Sequence, residues 1–338
     1  MRKQQGSAWS ATQAATRAAG LSALAALWIC AGPAMARAQA AGTGSADELV
    51  VTLLGTGTPA AEPNRAGFAN LVRAGDTVLL FDAGRNAVTR INQAGVPVGA
   101  IDAVFMTHYH SDHVNGLSDV FMTGYLSGPI GQRKVPLELY GPAGIRQLAE
   151  GVGLVSRHDA QERIENEHVP QAATTIEAHE IAPGIVYDRD GVKVTMFTVD
   201  HGIEPAVGYR VDYNGHSVVF SGDTTYAQQV VDHAMGADLL VHEVAGTPEP
   251  MRQLPYVQNI LALHTTTEDA GRVFAQAQPR LAVLSHVVRL FSPEHPRVRM
   301  DDILSEIRRT YDGDIVVGED LMQFRISDKG ITQALADQ

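Results

Sequence analysis

Residues 107–116 read Thr-His-Tyr-His-Ser-Asp-His-Val-Asn-Gly, which crowds His108, His110, Asp112 and His113 into one short stretch. The stretch follows the apolar run AIDAVFMTH (100–108), a strand pattern. Two histidines two apart at a strand end project to the same side. Asp112 and His113 follow in what reads as a turn, where neighbouring side chains diverge toward a second point. Imidazole and carboxylate are donors that zinc and related divalent metals accept. A loop of solvated histidines is the bland alternative, and such density makes it a poor one. These residues cannot complete a metal shell alone, so the fold must deliver further donors from distant segments. His201 ends VKVTMFTVDH, Asp223 ends SVVFSGDT and His286 ends LAVLSH, each closing an apolar run. Strand ends followed by loops are where a rigid scaffold displays functional groups.

Strand patterns dominate the rest of the chain. LVVTLLGTG (49–57), FANLVRAG (68–75) and TVLLFDAG (77–84) are short, β-rich and closed by glycine. Residues 86–94 read as a helix stopped by Gly95 and Pro97, and 114–127 read as another. LELYGP (137–142) reads as a buried strand. Asn214-Gly215 predicts a tight hairpin turn. Helix 265–277, strand 281–288, helix 298–311 and strand 314–327 close the chain. The polar segment 157–180, with His158, His168 and His179, reads as a surface excursion. Strands in each half with helices between them predict an α/β body of two packed sheets covered by helices.

The first forty residues differ. Arg2, Lys3 and Arg17 precede the uncharged run AAGLSALAALWICA (18–31), and small-residue cleavage patterns end at Ala40. This is the order of a secretory signal peptide, so 1–40 is expected to be a leader and 41–338 the mature domain, periplasmic or secreted. Cys30 is the sole cysteine, which excludes a disulfide scaffold. The net charge is −12, and removing the leader takes away Arg2, Lys3, Arg17 and Arg37 and no acid. Such acidity argues against binding nucleic acid through a broad basic face. No later stretch is long and apolar enough to suggest a membrane span after signal cleavage.

The order LLGTGTP, FDAG, THYHSDH, DHGIEPAVGYR, SGDT, HEVA, HTTT, LSH resembles the metallo-β-lactamase superfamily over the whole mature length. Within it the chain is most similar to the branch of ribonuclease Z, zinc arylsulfatase and related phosphodiesterases. HEVA and HTTT are the more discriminating elements. The resemblance implies a single-domain αββα sandwich with two divalent metals, expected to be zinc, with manganese and iron open. His108, His110 and His201 would hold the first metal. Asp112, His113 and His286 would hold the second, and Asp223 would bridge them. Asp82 in FDAG matches an aspartate that orients a ligand or the bridging water, with a helix cap as the competing role.

Two dications against two carboxylates and a hydroxide leave a small positive excess, suited to a monoanionic ester. His264, before a helix, and Glu243, ending a strand, match a proton-donating pair in the resembled branch. His242 is expected to face away from Glu243. Arg65 and Arg85 are candidate anion contacts, and 246–263 a candidate lid. The leading expectation is an exported hydrolase of small sulfate or phosphate esters using a metal-bound hydroxide, with His264 as acid. No stable nucleic-acid partner is expected, and the assembly is left open, with a homodimer as one form. The alternatives are a ribonuclease Z-like nuclease, a β-lactamase or lactonase, and a non-catalytic metal-binding protein.

Overall fold

The computed structural model describes residues 47–336; the expected leader and its cleavage site lie outside them. In chain order the first part comprises β1 (Leu49–Gly55), β2 (Ala69–Ala74), β3 (Thr77–Phe81), α1 (Ala87–Gln93) and β4 (Ala103–Phe105). Next come α2 (Ser111–Val114), α3 (Leu117–Gly124), β5 (Leu137–Gly141), α4 (Ile145–Asn166) and β6 (Ile176–Glu180). The second part opens with β7 (Gly184–Arg189), β8 (Val192–Thr198), β9 (Val207–Tyr213), β10 (His216–Phe220) and α5 (Gln228–Ala234). It continues through β11 (Leu239–Gly246), α6 (Pro255–Leu261), α7 (Thr267–Ala277), β12 (Leu281–Arg289) and α8 (Met300–Ile307). The short β13 (Ile315–Val317), β14 (Met322–Ser327) and β15 (Gly330–Leu335) finish the chain.

The strands form two sheets, ordered β15-β14-β1-β2-β3-β4-β5-β6 and β13-β12-β11-β10-β9-β8-β7. Alternation along each strand explains the layering, since successive side chains leave opposite faces. Leu79 and Phe81 of β3 enter the core between the sheets, while Val78 and Leu80 pack under the helices of the first half. Val218 and Phe220 of β10 face the same inter-sheet core, and Val219 packs beneath α5 and α7. Both faces of the central strands are buried, which is why they read as unbroken apolar runs. Stacked rings mark the centre, with Phe81 against Phe105 at 5.0 Å and against Phe220 at 4.8 Å. The architecture is the αββα sandwich that the resemblance implies.

Three expectations are corrected. Segment 157–180 is not an excursion: it is the second half of α4 followed by β6, which pairs in parallel with β5 as the sheet's edge. Its polarity reflects one exposed helix face and an edge strand. The strand expected over 314–327 is two strands in different sheets, β13 beside β12 and β14 beside β1. Gly318 breaks it, packed against Leu53 and the Leu284 carbonyl where a side chain would not fit. Asp112 and His113 lie in the short helix α2 rather than an open turn. Among the described residues no helix is long and apolar enough to cross a membrane.

Candidate functional site

The sandwich brings the carboxyl ends of β3, β4, β10 and β12 to one edge, and the chemically suggestive side chains gather there. Gly84 makes the approach possible: a Cβ there would stand 2.2 Å from the Asp112 carbonyl oxygen, so only glycine lets the loop after β3 meet α2.

Two groups of donors form. His108, His110, His201 and Asp223 place a ligand atom each within 4.8 Å of one another, and Asp112, His113 and His286 do the same. In the first, Nδ1 of His110 lies 3.1 Å from Nε2 of both His108 and His201. In the second, Oδ2 of Asp112 lies 3.0 Å from Nε2 of His286 and 3.5 Å from Nε2 of His113. Asp223 stands between them. Its Oδ2 is 3.8 and 3.7 Å from Nε2 of His108 and His201, and 3.4 and 3.3 Å from Nε2 of His113 and His286. Sequence separation hides this convergence, which the sheet edge alone creates.

The electrostatics suit ligation. Burial holds His108 well below the ordinary imidazole range and takes His201 down to about 4, against the pull of Asp223. Both rings are therefore neutral near pH 7 and keep a lone pair for a cation. Burial opposes the charged form of Asp223, yet His286 and His113 hold its carboxyl well below the usual carboxylate range.

Outer contacts fix the rings. Asp82 is fully buried and accepts from the Thr107 amide (2.8 Å) and the Thr107 hydroxyl (2.7 Å), and its Oδ2 lies 2.8 Å from Nδ1 of His113. The same Thr107 hydroxyl lies 3.0 Å from Nδ1 of His108. Asp82 thus reaches one ring from each group, and it caps no helix. His201 presents Nδ1 to the Leu263 carbonyl at 2.6 Å. Phe68 closes the outer side, with its ring centroid 5.1 Å from that of His113 and 5.6 Å from that of His286.

Beside the cluster, Nδ1 of His264 lies 2.9 Å from Oε1 of Glu243. That oxygen also accepts from the Thr224 amide (2.9 Å) and the Thr265 amide (3.3 Å). Burial, helped by the nearby Asp223 carboxylate, raises Glu243, and the facing His264 imidazole offsets only part of that rise. Burial likewise disfavours a charged His264, but the Glu243 carboxylate outweighs it and the ring is pushed up to about 9. His264 lies 5.0 Å from the His201 ring and 5.8 Å from the His286 ring. A ligand atom of His264 also comes within 4.8 Å of Asp223 and His286.

A β-bulge sets this geometry. The pairing of β11 with β12 slips by one residue between His242/Leu284 and Val244/Val287, and His286 takes a left-handed backbone with φ 45°. Bulges re-aim side chains, and this one turns Glu243 and His286 toward the same edge. The sequence carries no period that reveals it. Arg65 spends its guanidinium on the Thr56 hydroxyl (2.6 Å) and Arg85 on the Thr58 carbonyl (2.9 Å). The expected lid is built around α6. A further group outside the edge joins Glu138, Glu177 and His179 on β5 and β6, with His179 stacked on Tyr140 and Arg189 3.6 Å from Glu138.

A family profile described as β-lactamase superfamily domain matches residues 77–287. Ribonuclease Z of Mycolicibacterium paratuberculosis is 35% identical over 279 residues, covering 82% of this chain and 98% of that protein. Ribonuclease Z of Mycobacterium bovis is 34% identical over 281 residues, with the same coverage. Among solved structures, human tRNase Z, short form, superposes with a TM-score of 0.59 at 24% identity, covering 81% of this chain and 98% of that one. The metallo-β-lactamase fold protein YhfI from Bacillus subtilis gives 0.63 at 20% identity, covering 82% and 99%. These two share the fold. The ribonuclease relatives overturn the expected hydrolase of small sulfate and phosphate esters, and with it the expectation of no nucleic-acid partner. The physical fault lay in the charge argument: net charge is a whole-molecule sum and does not describe the few groups that meet a substrate. The chain belongs to the metallo-β-lactamase superfamily, a family of hydrolases, in the branch that contains ribonuclease Z.

Proposed function

We propose that this chain is a metal-dependent ribonuclease that hydrolyses phosphodiester bonds, as the name of its ribonuclease Z relatives suggests. The observation that carries the reading is the position of Asp223 Oδ2 between two histidine groups, next to a histidine–glutamate pair able to deliver a proton.

The residues fit two cations. Nε2 of His113, Oδ1 of Asp112 and Oδ1 of Asp223 are buried without any hydrogen-bond partner, which is costly unless a ligand satisfies them. The imidazole and carboxylate donors suit zinc first, and manganese or iron also. His108, His110 and His201 would hold one ion, Asp112, His113 and His286 the other, with Asp223 shared. Bound cations would polarise the phosphoryl oxygens and make water a nucleophile near neutral pH. Asp82 holds the His113 ring in place directly and the His108 ring through Thr107. His264 keeps Nδ1 on Glu243, which leaves Nε2 as the nitrogen that gives a proton to the departing oxygen.

The test is cleavage of a tRNA precursor transcript by the purified full chain, with a bis-aryl phosphodiester and an aryl sulfate alongside. Cleavage of the transcript that a chelator abolishes and zinc restores is the expected result. No cleavage by fully metal-loaded protein would overturn the reading. Asp223→Ala should lose bound metal by elemental analysis, and turnover by at least the roughly 10–100-fold that loss of an outer carboxylate costs.

A further inference from the structure

The rim of the site carries a feature that the mechanism does not use. Beyond His286, β12 runs on to Arg289, and the Leu290 amide donates to the Gly246 carbonyl at 3.1 Å. Phe291 follows with 54% of its surface exposed, unusual for a ring in a chain whose other phenylalanines are buried. A closed turn then reverses the chain: Ser292 and His295 exchange amide-to-carbonyl hydrogen bonds of 2.9 and 3.2 Å. That reversal lays Arg297 on the Phe291 ring, with the guanidinium carbon 4.5 Å from the centroid. Nη1 of Arg297 is tied to Glu62 at 2.6 Å, so the plane is held rather than free to rotate. The backbone of Glu62 pairs with that of Arg65, three residues before Phe68 on the His113 and His286 rings. Arg289, half-buried, lies within electrostatic reach of Glu62, Arg65 and Arg297. Phe291 is five residues from His286, at most about 18 Å along the chain.

Arg297 therefore pairs with Glu62 while Arg289 feels Glu62, Arg65 and Arg297, so three arginines and one glutamate stand close together beside the candidate metal-ligand cluster, in a chain whose net charge is −12. Concentrating positive charge there costs repulsion that a polyanion relieves. An open aromatic face with a guanidinium plane fixed over it is the surface on which unpaired bases stack. Resting on the ribonuclease reading above, we propose that Phe291 and Arg297 form a stacking subsite for a base of the single-stranded RNA flanking the scissile bond. Arg297 faces the backbone of the same segment. The subsite selects an unpaired nucleotide and sets the direction in which the strand crosses the residues that would hold the metals.

The experiment compares Phe291→Ala, Phe291→Trp and Arg297→Ala with the parent full chain, on a tRNA precursor transcript and on bis-p-nitrophenyl phosphate. Phe291→Ala should raise the KM for RNA roughly 5- to 100-fold, the range for one stacked base. The ratio of RNA to diester kcat/KM should fall by a similar factor. Phe291→Trp should restore it. Arg297→Ala should also flatten the dependence of RNA affinity on salt, and Phe291→Ala should not. An unchanged RNA KM in a Phe291→Ala enzyme that still cleaves RNA overturns the stacking subsite and leaves the ribonuclease reading standing. A parent enzyme that turns over the diester but cleaves no RNA overturns both.

Discussion

The two faces of β11 hold histidines in contact with the same residue and treat them in opposite ways. On the side facing helix α7, His242 is fully buried against Phe274, with ring centroids 5.6 Å apart. It meets only the backbone carbonyl of Glu243, at 2.6 Å, and Nε2 has no partner. Burial takes it down to about 4. On the side facing the histidine–aspartate cluster, His264 meets the Glu243 carboxylate and is pushed up to about 9. A carbonyl dipole does not offset the loss of solvation of a charged ring, whereas a full negative charge does. Residue type says that both positions titrate, and only the partner says which one carries a proton at neutral pH.

The comparison breaks most visibly at His264. His264→Ala should slow RNA cleavage by roughly 10²–10⁴-fold, the usual worth of general acid catalysis. A nitrophenyl diester, whose leaving group needs little protonation, should suffer far less, and metal content should hold. Equal losses on both substrates would make His264 a substrate contact, and loss of a metal would make it a ligand.

Glu243→Gln sharpens the contrast by leaving shape and removing charge. RNA turnover should fall less than in His264→Ala. In the parent enzyme the rate that depends on the proton of His264 should decline as pH rises through about 9. In the Glu243→Gln enzyme that limb should move down toward the ordinary histidine value near 6.5. A pH–rate profile identical in the two enzymes would deny that Glu243 sets the proton. The same pair bears on stability. A raised histidine contributes fully below pH 6.5, and its contribution is lost as pH rises through about 9.

His242→Leu should have the smallest effect on turnover, near none, because His242 faces away from the site. Its signature is in stability. A depressed histidine leaves the fold unaffected above pH 6.5 and destabilises it as pH falls toward 4, by on the order of 3 kcal/mol. Urea unfolding at pH 7 and pH 5 should show the parent losing stability and His242→Leu losing less. A variant as acid-sensitive as the parent would mean that His242 is not the group responsible.

The strand runs that became β1, β3, β8, β10, β11 and β12 are legible because alternation and apolar runs are local properties. His108, His110, His201, Asp223 and His286 stand out for the same reason, as polar residues at the ends of such runs. The division of 314–327 between two sheets is not local, since it depends on Gly318 meeting Leu53 and Leu284. Nor is the role of 157–180, whose polarity suits an edge strand and a half-exposed helix as well as a loop. The substrate expectation failed on charge, because a net charge summed over the whole chain says nothing of three arginines that stand close together at one rim.

By itself the sequence determined which chemistry was present: the donor types, their order along the chain, and strands able to bury both faces. Only the tertiary structure decided what those groups do. It set Asp223 between two histidine groups, turned Glu243 and His286 to one edge through a β-bulge, and laid Arg297 over Phe291. The first joins residues far apart in the chain, the second is re-aimed by a break in register and the third depends on a chain reversal, and no periodicity along one strand encodes any of them.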